Sequence, residues 1–158
     1  MIKLFNRYKS MPISNDSRFY DEQNFYDAFA SDINNASSSV IIESPYLTER
    51  RAYQFAKLLR RKIKAGVKVH IYTRNPRHHD YVLAEQSHLA CRILKSAGAK
   101  VFICDDMRHR KLAIVDATIL WEGSLNILSQ SNSAELMRRT YSNEQASYVL
   151  RLLKLKRL

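Results

Sequence analysis

Helical and strand patterns alternate along this chain as far as residue 104. Apolar residues recur at helical spacing over residues 21–34, 48–66 and 81–97. Each stretch is followed by a short run rich in β-branched or aromatic residues, first VIIES, then VKVHIYT and then KVFIC. Strands that are joined by helices of this length pair in parallel through crossover connections, and the helices pack on the sheet. The alternation therefore predicts an α/β fold with parallel strands.

The pattern changes after residue 110. KLAIV and TILWE are two β-rich runs that are separated only by Asp116 and Ala117, which predicts a hairpin. A further strand over residues 134–139 and a terminal helix over residues 143–155 complete the prediction of a mixed, largely parallel sheet flanked by helices, an α/β sandwich. The chain has 158 residues with only three glycines and three prolines, and no stretch has the composition of a linker, so we expect a single domain over residues 1–158.

The charge of the chain is large and unevenly placed. The whole sequence has 26 Lys and Arg against 15 Asp and Glu, a formal net charge of +11. Residues 1–49 contain four basic and seven acidic residues, whereas residues 50–158 contain 22 and eight. A hydrophobic fraction of 46% supplies enough apolar residues for a core, which excludes a disordered basic tail. The basic excess favours a polyanionic partner, nucleic acid before an anionic membrane surface.

Residues 50–74 hold nine basic residues and no acidic one. A run of charge is commonly the solvated face of a helix, and that interpretation stays open here. A face of mixed sign would serve solubility equally well, however, so charge of a single sign favours contacts with a phosphate backbone. The residues that we predict to contact nucleic acid are Arg50, Arg51, Lys57, Arg60, Arg61, Lys64 and Arg74.

The sequence shows no secretion or membrane signal. The start MIKLFNRYKSMPIS has no continuous apolar segment, and no stretch approaches the roughly 18 apolar residues of a membrane span. Cys91 and Cys104 lack the spacing of a zinc site, and we expect reduced thiols. We predict no metal site at His78, His79 and Asp80, because adjacent loop residues do not converge on one ion. The expectation is a cytoplasmic protein without stable membrane association.

One segment departs from ordinary α/β patterning: His109, Lys111 and Asp116 are followed by Gly123, Ser124 and Asn126. In extended backbone, residues two apart point to the same side, so the imidazole of His109 and the ammonium of Lys111 project together. An imidazole can attack phosphorus or donate a proton near neutral pH, and an ammonium binds the phosphate oxygens. At a turn after the second strand, Gly123 permits close backbone approach, while hydroxyl and amide groups supply uncharged donors.

This segment resembles the phospholipase D superfamily, whose signature HxKx4Dx6GSxN is matched at every fixed position. The similarity covers residues 36–158, whereas residues 1–35, which we expect to be largely helical, lie outside it. The resemblance implies a phospholipase D-like fold and metal-independent phosphodiester cleavage without a cofactor. It also implies a covalent phosphohistidine, with a second histidine from another copy of the motif as the acid and base.

The resemblance implies a role for each matching residue. His109 is the nucleophile or the acid, Lys111 and Asn126 bind the phosphate, Ser124 supports it, and Glu135 orients the imidazole. Asp116 and Gly123 belong to the motif but have structural roles, and a hairpin turn is itself a common place for an aspartate. Because the chain has one copy of the motif, we expect a homodimer with one composite site on its two-fold axis.

The combination of motif and charge predicts a nuclease that acts on DNA or RNA. Two alternatives stay open: an enzyme that hydrolyses phospholipids or transfers phosphatidyl groups, and a non-catalytic nucleic-acid-binding module of a larger assembly. The loops at residues 44–46 and 74–76 follow predicted parallel strands, so we expect them at the edge of the sheet near the site. Tyr46 in the first loop either stacks on a base or packs against the protein.

Overall fold

The computed structural model describes residues 16–129 and 132–155 of the chain. These residues form seven strands: β1 Ser17–Asp21, β2 Ser39–Glu43, β3 Lys68–Arg74, β4 Lys100–Cys104, β5 Leu112–Val115, β6 Ile119–Gly123 and β7 Leu136–Tyr141. They also form four α-helices: α1 Phe25–Asn35, α2 Glu49–Lys64, α3 Tyr81–Ser96 and α4 Asn143–Leu152. A short 3-10 turn, Pro76–His78, lies between β3 and α3.

The seven strands form one sheet in the order β1-β7-β6-β5-β2-β3-β4. β2, β3 and β4 are parallel, because α2 and α3 return the chain to the same edge of the sheet before each new strand. The other pairs are antiparallel. The predicted α/β fold with a mixed sheet flanked by helices is confirmed, but the expectation of a largely parallel sheet is wrong: four of the six described strand pairs are antiparallel. From β4 onward the strands are joined by loops without a crossover helix, so they do not return to the same edge of the sheet.

The predicted hairpin is also confirmed. β5 and β6 pair antiparallel, and Asp116 and Ala117 form the turn between them. Both turn residues have φ of +52°, and the amide of Thr118 donates to the carbonyl oxygen of Val115 at 3.0 Å. Positive φ at both central positions gives a turn whose twist matches that of the two strands. The hairpin therefore fixes the register of the segment that carries the motif.

The differences from the predicted elements lie near the ends of the chain. β1 lies in the segment 1–35 that was expected to be largely helical, so that expectation is wrong for residues 17–21. This five-residue strand pairs only with β7 in the described part of the chain, and Phe19 at its centre is exposed, which leaves little periodic signal. β7 lies two residues later than predicted, and α4 ends at Leu152. The prediction of one domain over residues 1–158 extends to residues that lie outside the described part, and it stays a prediction.

Two apolar cores lie on opposite faces of the sheet. The larger core is formed with α1, α2 and α3, and its aromatic centre joins Phe25 to Trp121, with ring centroids 5.1 Å apart, and Phe29 to Phe55, at 5.7 Å. The smaller core lies under α4 and includes Leu150. The helical stripe expected over residues 21–34 is therefore the buried face of α1.

One edge of the sheet, which we call the carboxyl edge, is where β2, β3 and β4 end. β5 begins there, since Glu43 at the end of β2 pairs with Leu112 at the start of β5. β6 ends there and β7 begins there, since Gly123 pairs with Met137. The loops at residues 44–48, 75–80, 105–111, 124–129 and 132–135 consequently meet at this edge. The topology of the sheet therefore brings the loop with His109 and Lys111 to the same edge as the loop with Ser124 and Asn126.

Candidate active site

His109 and Lys111 lie side by side at the carboxyl edge. The Nζ atom of Lys111 is 2.7 Å from Nδ1 of His109 and donates to the carbonyl oxygen of His109 at 2.9 Å. Both residues precede β5 instead of lying within a strand, but the pairing expected from their spacing is present. An imidazole and a primary ammonium therefore face the same space.

Positive charge and burial lower the pKa of His109. Burial is the larger cause, and the charges of Lys111 and Arg74 add to it. Burial also lowers the pKa of Lys111, whereas the negative charge of Glu135 raises it. The neutral imidazole is consequently favoured near neutral pH, and this is the form in which a ring nitrogen can act as a nucleophile.

Gly123 is required where β6 meets β7. A Cβ atom at this position would collide with the carbonyl oxygen of Leu136 and would lie 2.8 Å from Sδ of Met137. The close approach allows Ser124 to bind Leu136 twice, because its amide donates to the carbonyl oxygen at 3.0 Å and its Oγ accepts from the amide at 3.1 Å. The glycine thus places Ser124 at the carboxyl edge.

Glu135 interacts with Ser124, Ser133 and Lys111. The Oγ of Ser133 donates to it at 2.7 Å, and hydrogen bonds from Ser124 and Ser133, together with the charge of Lys111, lower its pKa. Within the described part of the chain, no hydrogen bond joins Glu135 to His109. The resemblance implied that Glu135 orients the imidazole, but in this structure the side chain within hydrogen-bond distance of the ring is that of Lys111.

Asn126 follows Ser124 in a loop that is anchored to the start of α2. The amide of Thr48 donates to the carbonyl oxygen of Leu128 at 2.8 Å, and Ser44 Oγ accepts from the amide of Leu128 at 3.1 Å. The Oδ1 atom of Asn126 is buried and has no hydrogen-bond partner among the residues that the structure describes. The side chain therefore has hydrogen-bonding capacity that these residues do not use.

Asp116 lies at the far end of β5 from His109. Its carboxylate accepts hydrogen bonds from the backbone amides of Ser37, Ser38 and Ser39 at 2.7, 2.8 and 2.8 Å. These bonds lower its pKa to about 2, although burial acts in the opposite direction. Asp116 thus joins the hairpin turn to the start of β2, an arrangement in keeping with a structural role.

Glu43, at the end of β2, is a residue that sequence reasoning missed. Its carboxylate is fully buried and pairs with Arg108 at 3.4 Å and with Arg110 at 3.0 Å. The two arginines flank His109, so one buried carboxylate binds the chain on both sides of the histidine. An acidic residue at the end of the otherwise apolar run VIIE is the signal that could have identified it.

The aromatic ring of Tyr46 also contacts His109. The ring of Tyr46 lies 5.8 Å from that of His109 and 5.0 Å from that of His79. Burial and the charge of Arg74 lower the pKa of His79. Arg74 itself donates to the carbonyl oxygen of His78 at 3.3 Å. Tyr46 thus packs against both imidazoles and brings His79 next to His109, while its stacking on a base stays a prediction.

The seven residues predicted to contact nucleic acid do not form one cluster. Arg74 and Arg50 lie near the carboxyl edge, whereas α2 carries Lys57, Arg60, Arg61 and Lys64 progressively away from it. Arg61 donates to Asn34 Oδ1 at 2.6 Å.

Arg51 does not lie on this surface, contrary to the prediction. It is 8% exposed, its guanidinium lies 3.7 Å from the ring centroid of Tyr26, and it donates to Gln54 at 2.5 Å. Burial is the larger cause that lowers its pKa, although the charge of Tyr26 opposes this effect. The side chain therefore packs between α1 and α2, where Tyr26 stabilises the cation.

The structure also bears on metal binding, membrane-spanning helices and the two cysteines. In residues 16–129 and 132–155, no three His, Cys, Asp or Glu side chains are grouped so as to hold a metal ion. In the same residues, no helix is both long enough and apolar enough to cross a bilayer. Cys91 and Cys104 are free, and burial raises the pKa of both thiols.

Comparison with known proteins identifies relatives of this fold. The family described as cardiolipin synthase, PLD-like domain, matches residues 29–154. Nuc from Salmonella typhimurium, a phospholipase D family member, aligns with a TM-score of 0.72 and 19% identity over 87% of this chain and 91% of its own. NucT from Helicobacter pylori aligns with a TM-score of 0.65 and 22% identity over 87% and 95%.

A third solved structure is similar over part of its length. The archaeal chromatin protein TrmBL2, whose structure shows a novel mode of DNA binding, has a TM-score of 0.56 and 10% identity over 87% of this chain and 50% of its own. No curated protein sequence matches this chain. At these identities the three structures show a shared fold.

Proposed function

The chain belongs to the phospholipase D superfamily, and from that premise we propose that it is a metal-independent phosphodiesterase that cleaves DNA or RNA. The observation that supports the proposal is the pairing of His109 with Lys111 at 2.7 Å, at the same edge of the sheet as Ser124 and Asn126. A nucleophile, a cation and neutral donors are the groups that transfer of a phosphoryl group requires.

In the proposed first step, a ring nitrogen of His109 attacks phosphorus. A phosphorus–nitrogen bond forms while the bond from phosphorus to the leaving oxygen breaks, and that oxygen takes a proton from a second imidazole. Lys111 and Asn126 bind the non-bridging oxygens, whose negative charge is stabilised by the ammonium. Glu135, which interacts with Lys111, and Ser124 hold these groups in place.

In the second step, water replaces the histidine. The second imidazole, now neutral, takes a proton from water as the water oxygen attacks phosphorus. The phosphorus–nitrogen bond breaks and returns its electron pair to the ring of His109. The products are a phosphomonoester and a free alcohol end, and both imidazoles regain their starting protonation states.

The second imidazole is proposed to come from His109 of a second copy of the chain. The sequence holds one HxK arrangement, so a two-histidine site requires two chains with the motif at a two-fold axis. Both copies would then bring a lysine and an asparagine to one phosphate. The single domain over residues 1–158 and the cytoplasmic location are part of the same proposal.

A second candidate function is phospholipid hydrolysis or phosphatidyl transfer. The observation that favours it is a groove of about 570 Å³ beside Lys111, with Phe19, Leu136 and Leu152 among its walls. These three side chains are 65%, 52% and 46% exposed, so the groove offers apolar surface to an acyl chain. The large positive charge favours nucleic acid as the first candidate.

The test is cleavage of labelled single- and double-stranded DNA and RNA in excess EDTA, with His109→Ala as the control and phosphatidylglycerol vesicles as a separate substrate. We expect nucleic-acid cleavage that EDTA does not abolish, that His109→Ala does abolish, and that yields an acid-labile phosphoenzyme on quenching. Cleavage that requires a divalent ion, or that survives the substitution, would contradict the mechanism. Release of a lipid headgroup without nucleic-acid cleavage would favour the second candidate.

A further inference from the structure

The outer face of α2 carries a continuous row of basic side chains. Arg50, Lys57, Arg60 and Lys64 are all exposed, and their spacings of seven, three and four residues place them on one face of the helix. At about 1.5 Å per residue the row is about 21 Å long. We refer to Arg50, Lys57, Arg60, Lys64 and the neighbouring Arg92 of α3 as the basic track.

Carboxylates do not neutralise the charges of the basic track in the described part of the chain. No salt bridge there joins an acidic side chain to any of its five cations, Arg50, Lys57, Arg60, Lys64 and Arg92. The sequence has no acidic residue over 50–79 or over 86–104. A surface of one sign with no internal partners attracts an extended polyanion.

The central part of the track is a groove between α2 and α3. It has a volume of about 400 Å³, and Lys57, Arg60 and Arg92 line it together with Tyr53 and Ser96. Tyr53 is 63% exposed. A concave basic surface that also presents a hydroxyl and an aromatic ring suits a sugar-phosphate backbone, whose phosphates accept hydrogen bonds from all of these polar groups.

The track begins next to the candidate active site. The backbone of Thr48, immediately before α2, is bonded to Leu128 in the loop that carries Asn126. Arg50 lies in the first turn of the helix, and the track then leads away from the carboxyl edge. A nucleic-acid strand that is bound at Asn126 and His109 would therefore lie at the start of the track.

We infer that the basic track binds the backbone of a nucleic acid beyond the scissile phosphate, which makes long nucleic acids the preferred substrate. This inference rests on the proposed function. At about 3.4 Å per nucleotide of a duplex strand, a row of about 21 Å matches about six phosphates. Binding to an anionic membrane would require several exposed apolar side chains beside the cations. Among the residues that line this groove, Tyr53 is the one large apolar side chain that is exposed, so the groove suits a nucleic acid better than a membrane.

The test compares the track variant Lys57→Ala/Arg60→Ala/Arg92→Ala with the control variant Arg18→Ala/Arg151→Ala/Lys154→Ala. Both remove three exposed cations, but those of the control lie on β1, α4 and the turn after α4. Each triple variant is combined with His109→Ala, so that binding is measured without cleavage. The probe is a long fluorescent duplex of about 30 base pairs, titrated over a range of salt concentrations.

The track variant is expected to bind the long duplex about tenfold or more weakly, with the slope of log K against log salt reduced by about two to three. The affinity of the control variant is expected to stay within about twofold of the parent, and a Lys57→Arg/Arg60→Lys/Arg92→Lys variant is expected to restore binding. Circular dichroism verifies that each variant is folded.

Equal losses in the track and control variants would overturn the inference, because they would show an effect of net charge alone. Unchanged affinity in the track variant would overturn it as well. A loss of binding to phosphatidylglycerol vesicles with nucleic-acid binding intact would overturn it in favour of a membrane. A protein that binds DNA or RNA through the track but cleaves neither would support this inference and contradict the proposed function.

Discussion

Lys111 Nζ lies 2.7 Å from Nδ1 of His109 and also donates to its carbonyl oxygen at 2.9 Å. These contacts orient the ring and favour its neutral form, because a nearby positive charge opposes protonation. A phosphate that enters the site offers Lys111 stronger, charged acceptors. For the proposed reaction we therefore expect Lys111 to move from the imidazole to the phosphate on binding, which removes its contact with Nδ1 of His109.

The first prediction concerns the pH dependence of activity. In the proposed mechanism His109 reacts in its neutral form, and its pKa is lowered, so the acidic limb of the profile of kcat/KM is expected below pH 6.5. Arg74→Gln removes one of the positive charges that lower this pKa and is expected to move the limb to higher pH. The measurement is hydrolysis of a small activated phosphodiester between about pH 4 and 8.

The matched control for Arg74→Gln is Arg77→Gln. Arg77 is exposed in the 3-10 turn of the same loop, and its charge is not among the causes of the lowered pKa of His109. The control is expected to leave the acidic limb in place. An Arg74→Gln profile that does not move, or that moves to lower pH, would show that Arg74 does not act on the imidazole.

The second prediction is that Gly123→Ala is strongly destabilising. The new methyl group would collide with the backbone of β7, which cannot rotate away as a flexible side chain can. We expect a loss of about 3 kcal/mol in the free energy of unfolding, measured by urea denaturation. Gly66→Ala is the control: it meets no atom within 4 Å but has φ of +93°, so only backbone strain of about 1 kcal/mol is expected. Equal losses would refute the steric argument.

The third prediction concerns the buried carboxylate of Glu43. Glu43→Gln removes the buried carboxylate that Arg108 and Arg110 share. Because Arg108 keeps its pair with Asp106 and Arg110 is 43% exposed, we expect a loss of about 1 to 2 kcal/mol in the free energy of unfolding. Glu122→Gln breaks a pair with Arg138 that is partly exposed on both sides, so a loss of less than about 1 kcal/mol is expected. Chemical denaturation of the two variants side by side checks the difference, and a larger loss for Glu122→Gln would contradict it.

Local patterns predicted the parts of the fold that depend on neighbouring residues. The crossover helices, the three parallel strands and the turn at Asp116 follow from periodicity and turn chemistry within short segments. The contact of Glu43 with Arg108 and Arg110 joins positions 65 and 67 residues apart, and no local pattern specifies it. Arg51 was predicted at the surface because its charge suggested exposure, whereas the ring of Tyr26 supplies a buried site for the cation.

The fourth prediction is a pH-dependent contribution of Asp116 to stability. Its pKa in the folded protein is about 2, below the ordinary 3.8, so its contribution is present above pH 3.8 and is lost as the pH falls through about 2. Asp116→Asn is expected to cost about 1 to 2 kcal/mol at neutral pH, since solvent screens part of the interaction. Urea denaturation at neutral pH and near pH 3 measures the cost, which should shrink at the lower pH.

The control for Asp116→Asn is Asp27→Asn, which removes an exposed carboxylate in the first turn of α1. We expect a cost of only a few tenths of a kcal/mol, about 0.3 to 0.5, from the helix dipole. A cost for Asp116→Asn that stays constant with pH would show that its hydrogen bonds with the serine backbone do not depend on the charge.

The fifth prediction tests the composite site by mixing chains. If each site needs His109 from two copies, then a heterodimer of wild type and His109→Ala is inactive. Unfolding and refolding equal amounts of the two together should leave about one quarter of the activity of the same total amount of wild type, because only that share of dimers has two histidines. Independent sites would leave about one half under the same conditions. Sedimentation measured at the assay concentration must show a dimer, and a monomer that retains full activity would rule out the composite site.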